Sequence, residues 1–124
     1  MAKMIPKYIA SDTESSAEIR LFSLLQNQLP SEWIVLHSLN LTAASQTRSG
    51  ETDFVVISPY GVFCLEAKTG PVRVEDGVWY TRPGSEKTVK DPFKQSSTAS
   101  STLHQFFRKN STIPRGVLTG YGVL

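Results

Sequence analysis

Three charged residues that could support metal or hydrolytic chemistry lie near the middle of the chain. Asp53 directly precedes an apolar run at 54–57, and Glu66 and Lys68 follow a second run at 62–65. The Ser-Pro-Tyr-Gly sequence between the runs has Pro at the second turn position and Gly at the last, which is typical of a β-turn. The stretch therefore predicts a β-hairpin with the three charged residues at its open end. Because both runs are nearly continuous, we expect the hairpin to be covered on both faces.

The turn also predicts which residues face each other. If Ile57 faces Val62, then Asp53 faces Glu66, and Lys68 shares the face of Glu66. Carboxylates in directly opposite positions repel each other, so they need a cation or a shared proton, and one of them should have a raised pKa. Mg²⁺ binds carboxylate oxygens, and a neighbouring lysine can hold an attacking water. The alternative is a solvated strand end with an ordinary Glu–Lys pair, and a slip of one residue would move Asp53 to the other face.

A helix is predicted before this hairpin. It begins at Thr13 or Glu14 and ends at about Gln28, because Pro30 cannot continue it. Glu18 lies at the edge of its apolar face, near the positive end of the helix dipole. Glu18 is therefore a favourable first-turn acid, and Glu14 is the competing one.

A second helix is predicted after the hairpin, from Pro92 to about Lys109, with Asp91 as its N-terminal cap. Gln95 falls in the first turn of this helix, on its inward stripe. It is either an amide bonded to the backbone at the edge of the core or a residue that faces the hairpin.

The other elements are predicted to be strands and loops. Strands are expected at 33–39 and 116–124, and Asp76-Gly77 predicts a second hairpin between 72–75 and 78–81. Polar loops are expected at 40–49 and 82–90. Within these elements, we expect His37 to be a strand-face histidine with an ordinary partner, and Cys64 to be a buried small hydrophobic residue.

Composition favours one globular domain. The chain has 124 residues, of which 40% are hydrophobic and 19% charged, and its formal net charge of +2 says little about partners. No run is long enough for a membrane span, and the N-terminus has no secretory apolar segment, so a cytoplasmic protein without membrane contact is expected. We expect residues 1–13 to be a lead-in and 14–124 to be the domain. The apolar end suggests a piece cut from a longer protein.

Four ordered blocks carry a resemblance to a known family. They are Ala17-Glu18, Gly-Glu-Thr-Asp-Phe-Val-Val at 50–56, Gly-Val-Phe-Cys-Leu-Glu-Ala-Lys at 61–68, and Pro-Phe-Lys-Gln at 92–95. Asp53 followed by Glu66-Ala67-Lys68 resembles the PD-(D/E)XK nuclease signature, and the whole order resembles the NERD, or nuclease-related, domain. The resemblance implies an α/β fold with a restriction-endonuclease-like αβββαβ core, in which helices flank a mixed central sheet.

The resemblance also implies a function, namely metal-dependent endo- or exonucleolytic cleavage of DNA. Asp53, Glu66 and Glu18 would bind Mg²⁺ or Mn²⁺, Lys68 would position or deprotonate water, and Gln95 would hold the substrate backbone or orient Lys68. Two positions depart from the pattern: Thr52 stands where many members have Pro, and Ala99 where an aromatic residue is frequent. The alternative function is a catalytically silent nucleic-acid-binding or regulatory module, attached to a helicase-like or kinase-like domain.

Overall fold

Over the residues that the structure describes, the fold consists of two helices and two β-sheets. The computed structural model describes residues 1–13, 15–40, 51–68, 72–81, 88–89, 91–110 and 116–124. In chain order, the elements are β1 (Lys3–Ile5), α1 (Ser16–Gln28), β2 (Ile34–Asn40), β3 (Glu51–Ser58), β4 (Gly61–Glu66), β5 (Val72–Glu75), β6 (Val78–Thr81), β7 (Thr88–Val89), α2 (Pro92–Lys109) and β8 (Thr119–Val123). Five strands form a sheet in the order β1-β2-β3-β4-β8, and β5, β6 and β7 form a second sheet. β1 pairs in parallel with β2, and β8 pairs in parallel with β4, whereas β3 pairs antiparallel with both β2 and β4. The central sheet is therefore mixed, as predicted.

The central hairpin has the predicted register. Ile57 pairs with Val62, and the ladder continues to Phe54 and Leu65. The next pair in this register is Asp53 and Glu66, at the open end. The hairpin around Asp76-Gly77 also forms, but it belongs to the second sheet.

Two short strands were missed by sequence reasoning. β1 lies in the lead-in and pairs in parallel with β2, which places Met4 beside Val35 in the core. β7 lies in the predicted polar connection 82–90 and pairs with β6. Strands of three and two residues carry no readable alternation, and only their partner strands stabilise them.

The two helices cover opposite faces of the central sheet, as the continuous apolar runs of the hairpin predicted. Leu21, Phe22 and Leu25 of α1 pack with Phe54 and Val56. On the other face, α2 contributes buried residues that pack with the alternate residues of β3 and β4, in a cluster of Val55, Val62, Cys64, Ala99 and Leu103.

The direction of α2 brings its first turn to the open end of the hairpin. Near its beginning, the Ser96 hydroxyl donates to the carbonyl oxygens of Cys64 and Gly122, at 2.9 and 3.0 Å. Near its end, Phe107 lies beside Ile57 and Val62, close to the β3–β4 turn. α2 therefore runs antiparallel to β4.

Some sequence predictions fall on other parts of the chain. Glu14, positions 41–49 of the first polar loop and most of the second lie outside the described residues. Among the described helices, neither combines the length and the apolar character that crossing a membrane requires.

Candidate active site at the open end of the central hairpin

Asp53 is held in place by the backbone of the neighbouring strand. Its Oδ2 accepts a hydrogen bond of 2.8 Å from the backbone N–H of Ala67. The buried hydroxyl of Thr52, just before it, donates to the carbonyl oxygen of Phe54 at 3.3 Å. Thr52 thus makes a local hydrogen bond that a proline at this position could not make. Asp53 is therefore aimed at the segment that follows β4.

Glu66, the last residue of β4, is a buried acid. Its side chain is 6% exposed, and its Oε2 has no hydrogen-bond partner within the described part of the chain. Burial first, and then the charge of Asp53, raise the pKa of Glu66 to about 7, while the charge of Lys68 acts in the opposite direction. The Glu66 carboxyl is therefore about half protonated near neutral pH.

Glu18 approaches the same place from α1. Ser15 caps this helix and its Oγ accepts a hydrogen bond from the Glu18 backbone N–H at 3.3 Å. Burial, then the charge of Asp53 and a hydrogen bond with Asp53, raise the pKa of Glu18. The expectation of a raised pKa in the acidic cluster is therefore confirmed, although burial outweighs charge repulsion as its cause.

Lys68 lies within electrostatic range of both glutamates, since its charge lowers the pKa of Glu18 and of Glu66. The backbone holds this residue beyond the end of β4. The Lys68 N–H donates to the carbonyl oxygen of Leu124 at 3.0 Å, and the Leu124 N–H donates to that of Glu66 at 2.9 Å. The structure thus brings Glu18, Asp53, Glu66 and Lys68 together.

Gln95 lies at the same end of the sheet, in the first turn of α2. Asp91 caps this helix as predicted, with Oδ1 accepting from the backbone N–H groups of Phe93 and Lys94 at 2.9 and 3.2 Å. The Gln95 Oε1 is buried and has no hydrogen-bond partner among the described residues. No described hydrogen bond joins Gln95 to the four charged side chains, so its amide is available to a further group.

The acidic cluster has the donor set of a divalent-cation site but not its final arrangement. Among the described residues, no three acidic, histidine or cysteine side chains form a ready metal centre. Asp53 instead lies between the two glutamates and hydrogen-bonds with both. Three carboxyls, one of them with an unsatisfied buried oxygen, fit a hard cation, because binding would replace the shared protons.

Two other residues with reactive side chains have structural roles. The His37 Nε2 donates to the Pro6 carbonyl oxygen at 2.5 Å, and its ring packs edge-on against Phe22. Cys64 is 1% exposed, and burial raises the pKa of its thiol to about 12. Both observations agree with the sequence predictions.

Arg20 was not singled out by sequence reasoning, yet it lies beside the cluster. It lines an open cleft of about 460 Å³ next to Lys68. The cleft is also lined by Ser16 and Leu24, which lie four residues before and four residues after Arg20 on α1. This spacing signals one helix face, but only the tertiary structure shows what the face borders.

The fold and the site define a class of protein, namely a mixed α/β domain with one buried acid, two half-buried acids and a lysine at one end of its sheet. A family model described as the nuclease-related domain, NERD, matches residues 13–121. The chain therefore belongs to the NERD family, as its four sequence blocks indicated, and its architecture is consistent with a restriction-endonuclease-like core. No curated protein and no solved structure matches the chain.

Proposed function

We propose that this domain hydrolyses phosphodiester bonds in DNA and requires Mg²⁺ or Mn²⁺. The observation that carries the proposal is the convergence of Glu18, Asp53, Glu66 and Lys68 at one end of the central sheet. A solvated strand end, the competing interpretation, does not explain why Glu66 is buried with an unpaired oxygen. A buried carboxyl oxygen without a hydrogen-bond partner costs free energy, which function can justify.

The three acids would hold the cation. The unpaired Oε2 of Glu66 supports its role as a direct ligand. The Asp53 carboxylate, which interacts with both glutamates, would supply a second ligand. Glu18 would bind the ion or its waters from the α1 side. A bound Mg²⁺ or Mn²⁺ polarises the phosphoryl oxygens and lowers the pKa of bound water.

Lys68 and Gln95 would act on the water and the substrate. Lys68 lies next to two carboxylates, so its ammonium can orient an attacking water or stabilise negative charge on phosphate. Gln95 has a buried, unpaired amide oxygen at the same end of the sheet. It would hold the substrate backbone or orient the Lys68 ammonium, which can donate to that oxygen.

The proposal also covers the cellular location of the domain, its neighbouring domains and its affinity for DNA. The domain would act in the cytoplasm as an endo- or exonuclease in DNA processing, with a helicase-like or kinase-like domain in the same full-length chain. Its net charge of +2 predicts that the isolated domain binds DNA weakly and with strong salt dependence.

The decisive experiment compares wild type with Lys68→Met and Asp53→Asn on single- and double-stranded DNA, with Mg²⁺ and Mn²⁺ tested separately. Lys68→Met keeps the methylene chain and removes the ammonium, so cleavage should fall at least about a hundredfold while metal binding persists. Asp53→Asn keeps an oxygen that can accept from Ala67 but loses the charge, so metal binding and cleavage should both disappear.

Lys109→Met is the matched control, because it removes the same charge from the last turn of α2, at the other end of the sheet. It should cleave like wild type. If wild type and Lys68→Met are equally inert on every substrate while both still bind DNA, the proposed hydrolysis is wrong and the domain is a nucleic-acid-binding module.

A further inference from the structure

The cleft beside the acidic cluster runs along α1 and has a single continuous lining. Its lining residues are Ser16, Ala17, Arg20, Leu21, Leu24, Lys68 and Leu124. The five helical residues follow one face of α1 from its first turn, so the cleft extends over about 12 Å of helix. Lys68 belongs both to this cleft and to the acidic cluster, so a chain bound in the cleft leads directly to the cluster.

The cleft combines positive charge with apolar surface. Its two charged lining residues, Arg20 and Lys68, are both cationic, and no ion pair of Arg20 occurs among the described residues. Leu24 is 42% exposed, although it lies next to the buried Leu21. An anionic ligand with an apolar face matches this lining better than a purely polar or a purely apolar ligand does.

The volume of the cleft indicates how much of a ligand it can hold. A cleft of about 460 Å³ is typical of sites for small organic molecules, and so one or two nucleotides fit inside it. Proteins that bind single strands combine a positive groove for phosphates with aromatic side chains on which bases stack, and in this cleft leucine side chains supply the apolar surface instead. In a duplex, the bases are paired and stacked, so they cannot lie against leucine side chains.

We propose that Arg20 and the exposed Leu24 form a subsite for an unpaired DNA strand, directly beside the hydrolytic cluster. Arg20 binds a phosphate next to the one at the cluster, and Leu24 contacts the base or sugar between them. The inference rests on the proposed function, because it extends that site and specifies its substrate as a single strand or a frayed end. In this assignment, Arg20 is a substrate-positioning residue.

The test measures binding in EDTA, where hydrolysis cannot occur. A fluorescein-labelled oligothymidylate and a hairpin duplex of equal length are titrated by anisotropy at several salt concentrations. Wild type should bind the single strand more tightly than the duplex. Arg20→Ala should weaken single-strand binding by about tenfold and reduce the salt slope by about 0.7, as expected for one lost phosphate contact on a single strand. Arg20→Lys should restore most of the slope.

Two matched controls separate this subsite from general charge and surface effects. Arg108→Ala removes an arginine from the last turn of α2, and should leave both affinities near wild type. Leu24→Ser removes the apolar contact and should weaken single-strand binding severalfold, whereas Ile19→Ser should not, because Ile19 is on the same helix, 46% exposed and outside the cleft lining. Circular dichroism confirms that each variant is folded.

The subsite is disproved if Arg20→Ala and Arg108→Ala lose affinity equally, or if wild type binds the duplex as tightly as the single strand. A failure of the proposed hydrolysis gives a different result from a failure of the subsite. If Arg20 is required for single-strand binding but wild type cleaves nothing with Mg²⁺ or Mn²⁺, the subsite stands and the hydrolytic activity does not. Where wild type cleaves, Arg20→Ala should raise KM more than it lowers kcat, since it binds the substrate away from the reacting phosphate.

Discussion

Glu66 illustrates how its surroundings change the ionisation of a single carboxyl. It ends an otherwise apolar strand and is 6% exposed, so water cannot stabilise its charge. Asp53, held toward it by the Ala67 N–H, adds repulsion, and Lys68 offsets only part of both effects. A carboxyl in this position gains more from a divalent cation than an exposed one does, because the cation removes the cause of its raised pKa.

The raised pKa predicts how stability depends on pH in the absence of metal. Between its ordinary value of 4.5 and about 7, Glu66 holds more protons in the folded than in the unfolded state. The free energy of unfolding should therefore fall as pH rises through this range, by on the order of 2 kcal/mol. Glu66→Gln should flatten the dependence, since the amide does not titrate. Urea denaturation in EDTA at several pH values measures the pH dependence of the free energy of unfolding.

The control for this prediction is Glu32→Gln, which neutralises an exposed acid beyond α1 and should keep the wild-type pH dependence. Glu18 also has a raised pKa, so a smaller dependence of the same sign should remain in Glu66→Gln. An unchanged slope in Glu66→Gln would show that burial does not affect the ionisation of this carboxyl as described.

At the scale of elements, the features that depend only on neighbouring residues were predicted correctly from the sequence. The Asp91 cap, the Asp76-Gly77 turn and the Ile57–Val62 register were all read from neighbouring residues. β1 and the partner of β8 could not be read, because parallel pairing joins distant segments and three residues carry no periodic pattern. For the same reason, the hairpin register was enough to predict that Asp53 faces Glu66. The cleft at Arg20 could not be predicted, because it depends on where α1 packs against the sheet.

The junction of β4 and β8 gives a prediction at this scale. Gly61 begins β4 with φ +143°, and a Cβ there would lie 2.6 Å from the carbonyl oxygen of Leu118, which accepts from the Val62 N–H. Gly61→Ala should therefore destabilise the domain by more than about 2 kcal/mol, since it adds a backbone clash to an unfavourable φ. Chemical denaturation measures the loss.

Gly77→Ala is the matched control, because Gly77 also has a positive φ, +76°, but nothing lies within 4 Å of an added Cβ. It should cost only about 1 kcal/mol from the backbone conformation. Equal losses in the two variants would mean that the close approach of β8 to Gly61 does not contribute.

At the scale of the whole molecule, the central sheet has two chemically different ends. The first turns of α1 and α2 both lie at the end with the acidic cluster, so Glu18 interacts with Asp53 and Gln95 lies at the same end of the sheet. At the other end, the β3–β4 turn borders a mainly apolar groove of about 500 Å³ with Phe107 and Val117 in its lining. The repulsion among these acids is therefore confined to one end, where a cation would relieve it.

This arrangement predicts that metal binding stabilises the whole domain. Mg²⁺ at about one hundred times its Kd should add about 2.7 kcal/mol to the free energy of unfolding, if it binds only the folded form. For a domain of this size, Tm should rise on the order of 5–10 °C. The rise should be larger at pH 8 than at pH 5.5, because the pKa of Glu66 is about 7 and only its ionised form is a ligand.

The thermal shift separates a specific site from general screening when wild type and Asp53→Asn, each with and without Mg²⁺, are compared at pH 8 and equal ionic strength. Wild type in Mg²⁺ should be stabilised relative to wild type in NaCl, because monovalent salt screens the acids but cannot bridge them. Asp53→Asn should show no shift in Mg²⁺, since it lacks the carboxylate that lies between Glu18 and Glu66. Its Tm without metal should equal or exceed that of wild type, because the repulsion is gone while the acceptor for the Ala67 N–H remains. A wild-type Tm unaffected by millimolar Mg²⁺ and Mn²⁺ in chelator-free buffer, or an equal shift in Asp53→Asn, would contradict a metal site at this end of the sheet.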